Sequence, residues 1–98
     1  MNYAEARARA AAHIREGVQA PEGFIPVIVD ADTQELSWGW VFFYNSKEYL
    51  ETSDVIYALA GNAPIVVTRE GDVIETGTAR PLNDYLKDIL AAKERERI

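Results

Sequence analysis

Cysteine is absent from the 98 residues. Disulfides, thiolate zinc sites, iron–sulfur clusters and thiol nucleophiles are excluded with it. Histidine occurs once, at His13, so a zinc site or relay built on two imidazoles is excluded as well. Apolar runs fall well short of the roughly 20 residues that span a bilayer. The opening Met1-Asn2-Tyr3-Ala4-Glu5 carries neither the basic start nor the apolar stretch of a secretory signal. The expected location is therefore cytoplasmic, with no membrane partner. Bases are scarce too: 10 Lys and Arg stand against 16 Asp and Glu, a net charge of −6. That balance argues against a nucleic-acid partner on electrostatic grounds.

The acidity is unevenly placed. From Glu16 through Thr68 the acids are Glu16, Glu22, Asp30, Asp32, Glu35, Glu48, Glu51 and Asp54, and the one base is Lys47, which leaves this segment at −7. The remainder is close to neutral. An acidic face of this kind either keeps a small protein soluble or meets a basic partner. At 48% hydrophobic and 27% charged residues, the chain reads as one globular domain over residues 1–98, with a core of its own.

Half of the aromatic residues fall in Trp38-Gly39-Trp40-Val41-Phe42-Phe43-Tyr44. The run reads as one β-strand with Trp38, Trp40, Phe42 and Tyr44 on one face and Val41 and Phe43 on the other. A half-solvated strand would alternate apolar with polar residues. This one is either covered on both faces or keeps a face for a partner.

The other elements fall around it. Asn2 with Glu5 three residues on forms a capping box, and Tyr3, Ala6, Ala10 and Ile14 recur at helical spacing up to a stop at Gly17. Pro21-Glu22-Gly23 is a turn into a first strand over residues 24–30, where Pro26 favours an edge position. The polar stretch 30–35 then reads as the loop of a hairpin leading to the aromatic strand. Its carboxylates Asp30, Asp32 and Glu35 resemble a broken calcium loop without the required glycine and final glutamate, so no metal is expected. Asp54 caps a short helical turn over residues 55–59. Residues 65–68 and 73–76 form a second hairpin about Gly71. Pro81 opens a last helix with Leu82, Tyr85, Leu86, Ile89 and Leu90 in one stripe. The expected class is α+β: a four-stranded antiparallel sheet of two hairpins, with the N- and C-terminal helices packed on one face.

Several blocks together resemble the immunity protein 35 family, also called the YrhB domain. They are the aromatic strand, Tyr49-Leu50-Glu51-Thr52, Ala60-Gly61-Asn62-Ala63-Pro64-Ile65-Val66-Val67, the turn at Gly71, and Gly77-Thr78-Ala79-Arg80-Pro81-Leu82. The resemblance implies a non-enzymatic protein that binds and neutralises a cognate toxin of a bacterial polymorphic toxin system. A chaperone-like role in holding unfolded clients is the alternative. No catalytic residue comes with the resemblance, and no cofactor.

The residues themselves agree on chemistry. No glycine elbow flanks Ser37, Ser46 or Ser53 to pair with His13, and Asp30 with Asp32 is only a formal carboxylate pair. Catalytic, cofactor and metal residues are therefore expected to be none. The expected partner surface is Trp38, Trp40 and Tyr44 ringed by Asp30, Asp32, Glu35, Glu48 and Glu51, since interface energy concentrates on aromatic anchors within a polar rim. Its partner would be a toxin with a basic surface, and a homodimer through the same sheet face is a further reading.

Overall fold

The computed structural model describes residues 1–17 and 23–96. Most of the turn expected at Pro21-Glu22-Gly23 lies outside them, as does the end of the charged tail at Arg97. Helix α1 spans Tyr3–Gly17. The Asn2 side chain accepts from the Glu5 amide at 2.9 Å, which satisfies one of the donors that every helix start leaves open. Helix α3 spans Leu82–Glu96, directly after Pro81.

Among the described residues six strands lie between these helices: β1 (Pro26–Ile28), β2 (Gln34–Leu36), β3 (Gly39–Phe42), β4 (Tyr44–Ser46), β5 (Ile65–Thr68) and β6 (Val73–Glu75). They form a four-stranded antiparallel sheet ordered β2-β3-β5-β6 and a separate pair, β1-β4. The α+β class and both hairpins agree with the sequence expectation. The path through the first hairpin does not. Residues 30–35 are not its loop: the chain turns at Ser37-Trp38, where Leu36 faces Gly39.

The aromatic run is likewise two strands. β2 pairs with β3, β1 pairs with β4, and the register slips by three residues between the two ladders. Those three residues are Asp30–Asp32, wound into a 3₁₀ turn. Opposite the slip the strand bends at Phe43, whose carbonyl accepts from the Val29 amide at 2.8 Å. An inserted turn of this kind breaks one ladder and re-aims the next, as a bulge does.

Directly paired residues share a face of a sheet. Trp40 with Val67, Phe42 with Ile65, and Val67 with Val73 therefore lie on one side. α1 covers them, with Ala6, Ala10 and Ile14 buried in the same cluster as Ile28, Tyr44 and Leu59. Alanines let the helix axis approach closely, and the large sheet residues fill the gap. Val41, Val66, Thr68 and Ile74 point the other way.

That second face carries α3, contrary to the expectation that both helices share a face. Leu86 and Leu90 line a groove with Leu36 and Trp38, and Ile89 and Ala92 line another with Thr68 and Ile74. The two grooves flank the helix along its length. Each apolar side of the aromatic strand thus has its own helix, which is why the strand lacks polar alternation.

Gly39 has a specific cause. A Cβ there would sit 2.5 Å from the Val67 carbonyl oxygen, so the close approach of β3 to β5 admits only glycine.

Candidate interaction surface

Helix α2, Lys47–Thr52, follows β4 without a loop. Buried Ser46 is its N-cap: its hydroxyl accepts from the Tyr49 amide at 2.9 Å and donates to the Tyr57 carbonyl. One hydroxyl thereby starts the helix and ties down the segment after it. The helix ends at Ser53, which sits in the left-handed region at φ 58°. Asp54 then caps a 3₁₀ turn over Val55–Tyr57, accepting from the Ile56 amide at 3.1 Å. The capping role read from the sequence holds, and the turn is shorter than expected.

Two elements this short bury little. Val55 is 76% and Ile56 69% exposed; Leu50, and Ile25 at the start of α2, are exposed as well. Ile25 is placed there by backbone: its carbonyl accepts from the Lys47 amide at 2.7 Å, and its amide meets the Glu48 carboxylate at 3.3 Å. Phe24 packs edge-on against Tyr57, with ring centroids 5.6 Å apart. The outcome is an apolar lip carrying Glu48, Glu51 and Asp54, with Lys47 as its one base. Large apolar side chains left together in water mark contact surfaces.

The residues expected from sequence distribute differently. Trp40 is only 2% exposed and Tyr44 7%. Both are core under α1 and cannot anchor a partner directly, which corrects their expected place. Trp38 does not share their face; it stands at the hairpin tip beside α3. Asp30 is held by Arg7 of α1 through two hydrogen bonds of 2.7 and 3.0 Å, and this guanidinium lowers its carboxyl pKa. Glu35 pairs with Arg69 at 3.1 Å. Asp32 and Glu51 are exposed, and Glu48 is half-buried at the start of α2.

Arg69 escaped the sequence reading. Its guanidinium stacks 4.5 Å over Trp40 and donates to the carbonyls of Ser37 and Leu36, so it pins the hairpin tip to the sheet. The exposed Val55 and Ile56 were missed because a capped apolar run reads like the start of a buried helix. The signal was the spacing: Ser46 and Asp54 are both caps, and only seven residues separate them.

Among the described residues no cluster of His, Asp and Glu is arranged to hold a metal ion. No helix among them is long and apolar enough to cross a membrane.

The description "Immunity protein 35" belongs to a family whose model matches residues 4–88. A relative in Escherichia coli strain K12, named as the uncharacterized protein YrhB, is 40% identical over 65 residues, which is 65% of this chain and 68% of that protein. No solved structure matches. With the greater part of its length matched by the family model, the chain belongs to the immunity protein 35 family.

Proposed function

We propose that this protein binds a cognate toxin of a bacterial polymorphic toxin system in the cytoplasm and silences it without catalysis. Family membership is the observation that carries this reading. The acidic, apolar lip at residues 47–57 supports it physically. Exposed Leu50, Val55 and Ile56 supply area to bury, and Glu48, Glu51 and Asp54 speed encounter with a basic protein. Asp32 and the ion-paired Asp30 and Glu35 extend the acidic surface. Trp40 and Tyr44 contribute to the core under α1.

Co-expression with the toxin encoded alongside is the test. The expected result is a stable stoichiometric complex and protected cells. Loss of both protection and binding would remove the reading. The same exposed apolar residues favour a second one, a chaperone-like hold on unfolded clients. Partner range separates the two: a holdase slows aggregation of an unrelated client at equal ratio, and an immunity protein does not. Light scattering on the free protein separates either from a homodimer.

A further inference from the structure

The exposed apolar side chains of this protein are concentrated in one place. Among the described residues six large ones stand in water, and four of them, Ile25, Leu50, Val55 and Ile56, belong to the lip. Val55 and Ile56 keep most of their surface in solvent, so they project from the fold and the lip is convex. No residue of the lip lines either groove along α3.

Burial does not hold the lip in this shape, since no residue of α2 or of the 3₁₀ turn after it is buried. Local polar bonds do. Thr52 Oγ1 donates to the Glu48 carbonyl at 2.8 Å and accepts from the Asp54 amide at 3.1 Å. The Ser53 amide donates to the Tyr49 carbonyl at 2.7 Å. Ser53 is the one non-glycine residue among those described with a positive φ, a conformation that persists only where surrounding bonds fix it. With the caps at Ser46 and Asp54, these bonds set the projecting side chains in place before a partner arrives. Less ordering is then left to be done on binding.

Shape and charge together select the partner. A projecting apolar side chain is fully buried only by a concave site. The lip carries Glu48, Glu51 and Asp54 against Lys47 alone. A second copy of this chain would bring the same acids to the contact, and each copy carries a net −6. An anionic lipid surface or a nucleic acid would be repelled in the same way. A protein cleft with an apolar floor and a rim of Lys and Arg meets both requirements.

We infer that the lip, led by Val55 and Ile56 with Leu50 behind them, inserts into a concave, apolar-floored cleft with a basic rim on the protein partner. The inference rests on the toxin-binding reading and adds the shape and chemistry of the surface that the toxin presents. It also divides the work: the apolar side chains hold the complex together, and the acids bring it together.

The test measures association and dissociation rates by biolayer interferometry against the toxin encoded alongside. A wild-type protein that does not bind would remove the toxin reading and this inference with it. Where the wild type binds, three variants decide. Val55→Ser combined with Ile56→Ser is expected to speed dissociation at least tenfold with little change in association. Glu51→Gln combined with Asp54→Asn, which keeps a capping side chain before the 3₁₀ turn, is expected to slow association about three- to tenfold at low salt. That difference fades as salt screens the charges. Leu90→Ser, at an exposed leucine of α3, is expected to change neither rate. An amide spectrum of each variant checks its fold. Wild-type dissociation in the Val55/Ile56 variant, an equal loss in Leu90→Ser, or wild-type association at low salt in the Glu51/Asp54 variant would overturn the inference and leave toxin binding standing. A dimer of the free protein that the Val55/Ile56 variant abolishes would overturn it in favour of a second copy.

Discussion

The two long helices, α1 and α3, look alike in length and differ in how they attach. α1 is mostly alanine, yet Ala6, Ala10 and Ile14 are buried against Trp40, Phe42, Ile65 and Val67. α3 has the stronger amphipathic stripe, yet none of its residues is fully buried, and a groove runs along each flank. Stripe contrast therefore does not set depth of contact. Small side chains let a helix settle onto large sheet residues, whereas leucines on α3 over valines on the sheet hold the axis away and leave gaps. The polar ties follow the same division. Arg7 fastens α1 to the inserted turn at Asp30, and Arg9 donates to the Gly71 carbonyl at 2.9 Å. On α3, Lys93 reaches Glu70 of the sheet turn, while Arg80 with Asp88 is a local pair.

The largest test of that difference removes one large side chain from each side. Phe42→Ala, at a fully buried position beneath α1, is expected to cost about 3–5 kcal/mol. Leu86→Ala on α3, already bordering a groove of about 220 Å³, is expected to cost less than about 2 kcal/mol, because part of its surface is wet to begin with. Urea denaturation with a shared slope measures both. Equal losses would mean that α3 is docked as firmly as α1.

A second pair of substitutions adds atoms instead. A methyl at Gly39 would meet the Val67 carbonyl oxygen at 2.5 Å, and backbone in the middle of a sheet cannot move aside. Gly39→Ala is expected to cost about 1–3 kcal/mol. A methyl at Gly77 would come as close to the Tyr85 hydroxyl, but that is the far end of a side chain on α3. Gly77→Ala is expected to cost less than about 1 kcal/mol as the ring shifts. Thermal midpoints rank them, and the reverse order would contradict the looser docking of α3.

Much of this was legible in local sequence. Asn2 and Asp54 act as the caps that their types suggest, and Ala6, Ala10 and Ile14 are the buried face of α1. The hairpin about Gly71 also lies where the alternation of residues 65–75 puts it. What was not legible depends on contacts between distant segments. The slip at Asp30–Asp32 is invisible because polar residues between two apolar runs read equally well as a hairpin loop. A strand apolar on both sides does not say which helix takes which side, so α3 was placed with α1. Trp40 and Tyr44 show the corresponding limit for the site. Aromatic residues serve cores and interfaces alike, and only the position of α1 decides between them.

The smallest effect concerns the tie between α1 and the inserted turn. The Arg7 guanidinium holds the Asp30 carboxyl pKa below its ordinary value. A depressed folded-state pKa contributes stability that is present above the unfolded value, near 4, and lost as pH falls through the folded one. Both side chains are more than a third exposed, so solvent screens the pair and its worth is about 1 kcal/mol at most. Asp30→Asn is therefore expected to be slightly less stable than the wild type at pH 7, with the gap closing as acid pH falls through the depressed folded-state pKa and the wild-type carboxylate is protonated. Urea midpoints across that range read it directly. A gap that persists at acid pH would place the contribution in the 3₁₀ turn itself, and the tighter docking of α1 would then rest on its alanines, the apolar cluster and its other polar ties, Arg9 to Gly71 among them.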